Sequence, residues 1–269
     1  MDFDTFVNFV NSIAPPALSM PDDRDGVAVR GERDIKKVLL CLDVTQDVVF
    51  NACGHGFDCI VSHHNFLYYP LPTLDGETPA SRKALMLARH GIGAISAHTR
   101  FDAVEGGVND CLLDILGVRG AEMLAAPGCP QIGRVFTLDE PLYTADFAAL
   151  VKERLAAFYQ SRSIDSTKLH VACRGGGGGK IQRVAMVAGN GSSFVGEAVA
   201  AGADAFLTGE MKYADMTYNA DLTTTSGGSL CIVTAGHYHT EFPALYALQS
   251  MIAAACPGVD VSVWTDADL

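Results

Sequence analysis

Two histidines side by side, His63 and His64, close the apolar run Asp58-Cys-Ile-Val-Ser-His-His64. Imidazoles at the carboxyl end of a strand, the usual ligand-binding edge of an open α/β sheet, suit metal ligation. Adjacent strand residues point to opposite faces. The pair therefore suits two ions, or one ion gripped by a residue already leaving the strand, better than a single strand-borne chelate. Taken alone, such a pair is more often a surface or capping accident than a ligand pair. A second set stands near the other end of the chain, in Gly236-His237-Tyr-His239-Thr-Glu241. His237 and Glu241 are four apart, so on a helix both project from one face, about one turn apart, while His239 faces elsewhere. The alternative is a helix start where Glu241 complements the dipole. A further imidazole, His98, ends another apolar run, and Asp102 follows in what reads as a loop. Glu210, just after Thr208-Gly209, is either a proton shuttle or a helix-start residue. Lys212 and Arg100 could offer positive charge to a phosphorylated substrate or serve as surface cations.

The elements that must position these groups are legible from periodicity. Phe3, Phe6, Val7, Phe9, Val10 and Ile13 fall at helical spacing, closed by Pro15-Pro16. Met20 to Gly31 reads as a polar loop. Lys37 to Asp43 is a strand, Gln46 to Cys53 a short helix, Asp58 to His64 the histidine strand, Pro79 to Arg89 a helix and Ile92 to His98 a strand. A helix follows from Asp110 to Leu116. Composition changes over Gly128 to Gly133, where a second domain begins. Its predicted elements are a strand from Val135 to Pro141, a helix from Tyr143 to Tyr159, and strands at His170 to Cys173, Ile181 to Gly189, Ala205 to Gly209 and Leu230 to Gly236. The alternation of strand and helix, with polar residues gathered at strand ends, predicts α/β architecture with a parallel or mixed sheet and a site along one edge.

Two glycine-rich stretches invite a phosphate-binding reading. Gly189-Asn-Gly191 leads into a helix, but the third glycine of a dinucleotide fingerprint is replaced by Phe194, so a tight structural turn is the better reading. Gly175 to Gly179 reads as a mobile hairpin or loop.

With 269 residues, 49% of them apolar, the chain can bury a substantial core. No apolar run reaches the about 20 residues needed to span a bilayer, and the acidic N-terminus lacks the basic residues of a signal peptide. Eight cysteines without a CxxC fit reduced thiols of a cytoplasmic protein. A net charge of −12 and the absence of a basic stripe weigh against direct nucleic-acid binding.

The blocks VSHHN, SAHTRFDAVEGGVND, AGNGSSFVGEAVAAGADAFLTGE and AGHYHTE, in this order over nearly the whole chain, resemble the Nif-three-like dinuclear metal-centre proteins, often labelled GTP cyclohydrolase I type 2 homologues. The resemblance implies metal ligation by His63, His64, Asp102, His237 and Glu241, with His98 beside the ions. It also implies two α/β domains with mixed sheets flanked by helices, residues 1–127 plus 236–269 forming the first and 128–235 the second. Assembly would be a toroidal homohexamer, and this chain is similar to short members without the inserted domain. Asn65 stands where proline often follows the histidine pair, and Ala214 where a histidine often follows the TGE block; neither removes a ligand. A mixed nitrogen and oxygen set suits two divalent ions, Zn, Fe or Mn, and is poor for Cu(I) or Ca. Two such ions can bridge a water and lower its pKa from about 16 to about 7. The expected function is thus metal-dependent hydrolysis of a phosphate-containing small molecule or nucleotide. The competing class is a metal-storage or delivery oligomer, or a protein-binding scaffold.

Overall fold

The computed structural model describes residues 1–126, 128, 130–222 and 228–266. The first elements are α1 (Phe3–Ile13), β1 (Gly26–Val29), β2 (Lys37–Cys41), α2 (Gln46–Gly54), β3 (Cys59–Ser62), α3 (Pro79–Arg89), β4 (Gly93–Ser96) and α4 (Thr99–Ala103). Next come α5 (Val108–Leu116), β5 (Glu122–Met123), β6 (Arg134–Tyr143), α6 (Thr144–Gln160), β7 (Ala172–Gly175) and β8 (Lys180–Asn190). They are followed by α7 (Val195–Ala200), β9 (Ala205–Glu210), α8 (Tyr213–Ala220), β10 (Cys231–Thr234), α9 (His237–Glu241), α10 (Ala244–Ala255) and β11 (Asp260–Val263).

The chain packs as two units, Met1–Val104 with Leu245–Asp266, and Glu105–Ala244. The resemblance implies domains of residues 1–127 plus 236–269 and 128–235; the two units divide the chain at other positions. Residues 105–126 and 236–244, expected in the first domain, pack with the second. The reason is local: α5 lies against α6 and β8, β5 pairs with β6, and α9 rests on β8 and β9. The expected domain ends at 127 and 269 lie outside the described residues, as does Cys129.

In the first unit the strand order is β1-β4-β3-β2-β11. β2, β3, β4 and β11 run parallel where they pair, and β1 is antiparallel to β4. β3 and β4 are buried throughout, which is why they read as continuous apolar runs rather than alternating ones. Helices start where the sequence supplies side-chain caps: Thr45 accepts from Val48 N ahead of α2, and Thr78 from Ser81 N ahead of α3. Two expectations fail here. The polar loop of residues 20–31 contains β1, a four-residue edge strand paired on one side only, whose short apolar content is masked by flanking charges. Asp102 lies in the short helix α4 and not in a loop.

The second unit is a six-stranded mixed sheet, order β5-β6-β8-β9-β10-β7, with β8, β9 and β10 parallel. β7 pairs with β10 while β8 pairs with β6 and β9, so Gly175 to Gly179 is a crossing loop and no hairpin. Gly175 through Gly178 all have positive φ, and Gly176 O accepts from Gly179 N at 2.7 Å. No helix among the described residues is long and apolar enough to cross a membrane.

Candidate metal centre

Each unit gathers donors at the carboxyl ends of its parallel strands. In the first unit, β3 stops at Ser62 and the next two residues are His63 and His64; β4 stops at Ser96, and His98 precedes α4. One ring nitrogen from each of these three histidines lies within 4.8 Å of the others. The ring centroids are 5.0 to 5.3 Å apart. Asp102, one helical turn after His98, places Oδ1 3.6 Å from Nε2 of His63, and both side chains are buried.

The rings share one orientation rule. Nδ1 of His63 faces Ala97 O at 3.2 Å, Nδ1 of His64 faces Asp43 Oδ1 at 3.0 Å, and Nδ1 of His98 faces Asp23 Oδ1 at 3.0 Å. An oxygen acceptor on Nδ1 fixes the neutral tautomer that presents the Nε2 lone pair, the arrangement in which metal-binding histidines are held. Asp23 is itself buried and anchored by Thr99 N at 3.0 Å and by the Thr99 hydroxyl. Burial pushes the Asp23 carboxyl up, but the His98 and Thr99 bonds outweigh it and hold it well below the usual carboxylate range. For His98, burial disfavours the cation, while the Asp23 bond and the charge of Asp102 more than offset that and raise its pKa.

The second unit uses a local device. β10 ends at Thr234, Gly236 turns the chain with φ of 86°, and α9 begins at His237. His237 Nε2 and Glu241 Oε2 lie 3.0 Å apart, as the four-residue spacing requires. Nδ1 of His237 faces Glu210 Oε1 at 3.2 Å, so Glu210, at the end of β9, stands where it orients the ring. His239 does face elsewhere: it is buried against Tyr159, and burial alone lowers its pKa.

Gly189 explains the glycine turn that resembled a nucleotide fingerprint. A Cβ there would sit 1.8 Å from Glu241 Oε1, and its φ is +64°. Gly189 N donates to Thr240 Oγ1 and Gly189 O accepts from Thr208 Oγ1, both at 3.0 Å. The turn thus brings backbone against the His237–Glu241 helix.

Sequence reasoning missed Asp43 and Asp23 as ring partners. Asp43 ends a strand and could have been found by that rule; Asp23 sits in a polar stretch with nothing to single it out. Arg100, read as a cation for substrate, is fully buried and bound to Asp25, Asn11 Oδ1, Ala14 O and Ser96 O. It ties the loop before β1 to the strand end. His55, Cys53 and Cys59 form no donor group among the described residues; His55 Nδ1 meets Asn51 O at 3.1 Å.

An α/β chain of two mixed sheets, with oriented imidazoles and carboxylates at its strand ends, defines a class able to hold metal. The chain belongs to the Duf34/NIF3 (NGG1p interacting factor 3) family, whose model matches residues 1–267. It is 31% identical over 249 residues to a Clostridium perfringens protein called GTP cyclohydrolase 1 type 2 homolog, covering 91% of this chain and 88% of that one. A protein of the same description from Nostoc sp. is 32% identical over 212 residues, covering 77% of this chain and 74% of that one. The fold is that of a Bacillus cereus protein related to NIF3, with TM-score 0.80, 19% identity, and coverage of 99% and 97%. A Staphylococcus aureus protein matches with TM-score 0.81, 22% identity, and coverage of 100% and 97%.

Proposed function

We propose that the protein binds two divalent ions, Zn, Fe or Mn, through His63, His64, Asp102, His237 and Glu241, with His98 beside them. It uses them to hydrolyse a phosphate-containing small molecule or nucleotide, the chemistry suggested by the label its relatives carry. The observation that supports this most is the shared treatment of four imidazoles, each with Nδ1 against an oxygen. His55 and His90, outside the site, also turn Nδ1 to an oxygen, but among the described residues only at the strand ends do such rings stand beside buried carboxylates, where ligation through Nε2 is possible.

The donor set fits the ions in type: neutral imidazole and carboxylate, with no thiol among the proposed ligands. When bound, such ions activate water at neutral pH and offset the charge of a phosphoryl group. The chain's own contribution is positional. Asp43, Asp23, Glu210 and the Ala97 carbonyl hold the rings, and Gly189 leaves room for the Glu241 carboxylate. Glu210 serves as a positioning residue in this reading. The toroidal hexamer and the cytoplasm complete the proposal by resemblance to the family.

Purified protein should contain close to two ions per chain by elemental analysis and should turn over GTP or a phosphoester in a substrate screen. His64→Ala and Glu241→Ala should abolish that turnover while His239→Ala keeps it. Exchangeable metal at that ratio with no turnover on any substrate would replace hydrolysis with storage or delivery.

A further inference from the structure

We propose that Arg24 is the residue that receives the anionic group of a ligand arriving at the His63, His64 and His98 cluster. This deepens the function proposed above and rests on it for the identity of the site, though not for the position of Arg24.

The backbone of Arg24 is pinned to the cluster from both sides. Its N–H donates to Asp23 Oδ1 at 2.8 Å, the oxygen that also faces Nδ1 of His98. Its carbonyl accepts from the Nδ2 of Asn65, the residue immediately after His64. Asn65 is fixed in turn, because its Oδ1 accepts from Leu67 N at 2.9 Å. Arg24 therefore bridges the partner of one histidine and the neighbour of another, and Asn65 acquires a role that proline could not fill.

The side chain is solvent-exposed, and among the described residues it has no ion pair or hydrogen bond. The flanking acids that could have neutralised it are committed elsewhere. Asp23 is bonded to His98 and Thr99, and Asp25 to Arg100 and Ser19. Asp22 is the remaining carboxylate in the stretch. The other cations of this region are also occupied: Arg100 is buried, and Lys83 donates to Val44 O and lies over the Phe66 ring. In a chain of net charge −12, an uncommitted guanidinium whose backbone is fixed beside the histidine cluster is the group suited to a phosphate oxyanion, which its planar fork can grip with two hydrogen bonds.

The test is calorimetric titration of inorganic phosphate and tripolyphosphate into metal-free and zinc-loaded protein, with metal content measured on the same samples. The expected result is binding that weakens at least tenfold in Arg24→Ala and less in Arg24→Lys, with zinc content unchanged. Arg89→Ala, an exposed arginine on α3, should bind as the wild type does. Equal phosphate affinity in Arg24→Ala, or no phosphate binding by either wild-type form, overturns the assignment. A zinc content far below two per chain would instead strike the metal reading, and the metal-free titration would still decide the role of Arg24.

Discussion

The segment β2-α2-β3-α3-β4 of the first unit and β8-α7-β9-α8-β10 of the second are built on one hydrogen-bond plan. Asp58 donates its N–H to Lys37 O, accepts Lys36 N and Lys37 N on Oδ2, and receives Gly93 N on its carbonyl. Asp204 does the same with Arg183 O, Gln182 N, Arg183 N and Cys231 N. At the far strand ends, Ala97 N meets Ser62 O and Ala235 N meets Thr208 O. Counting from Ser62 and Thr208, His63-His64 corresponds to Gly209-Glu210. Where the first unit puts a donor, His64, the second puts the carboxylate that orients one. Each unit then turns from strand into a short helix with a histidine and an acid four residues apart, His98 with Asp102 and His237 with Glu241. The frame fixes where strand ends fall; the few residues after them decide whether the edge presents donor side chains or the groups that orient them.

The largest effects should come from the donors themselves. His64→Ala in the first unit and Glu241→Ala in the second should each lower the metal content below that of the unaltered protein, read by elemental analysis; a loss from one unit only would break the parallel. Gly189→Ala should come next. It places a methyl group against the Glu241 carboxylate at a positive φ, so metal content should fall, and stability in denaturant should drop by about 1–3 kcal/mol. The ring partners should matter less: Asp43→Asn and Glu210→Gln should each weaken metal binding about 10–100-fold without unfolding the protein. Similar losses would support a common role for the two carboxylates, and a null result for one would separate them. The smallest contrast concerns thiols. Cys173 on β7 is exposed, whereas burial pushes Cys231 and Cys111 up to about 12. Below that pH these two remain protonated and unreactive, so a thiol reagent applied at about pH 8 should modify the exposed Cys173 and leave them unmodified, as mass spectrometry of the peptides would show.

What could be read from the sequence follows from how local each cause is. The strands β3 and β4 announce themselves because burial on both faces makes them continuously apolar. The His237–Glu241 pair is legible because a helix converts a spacing of four into contact. The partners of His64 and His98 are 21 and 75 residues away in sequence, and no period relates them. β1 escaped because an edge strand of four residues satisfies only one neighbour. The domain boundary moved because the composition change near Gly128 marks a loop within the second unit, while the packing of α5 and β5 sets the actual division.

The strand β11, which lies beside β2 at one edge of the first sheet, is encoded after all the described residues of the second unit. On the ribosome, Glu105–Ala244 has emerged in full while the earlier sheet still has an open flank at β2. Until β11 arrives, the nascent chain exposes the backbone amides and carbonyls of an apolar strand, a surface for chaperones to shield.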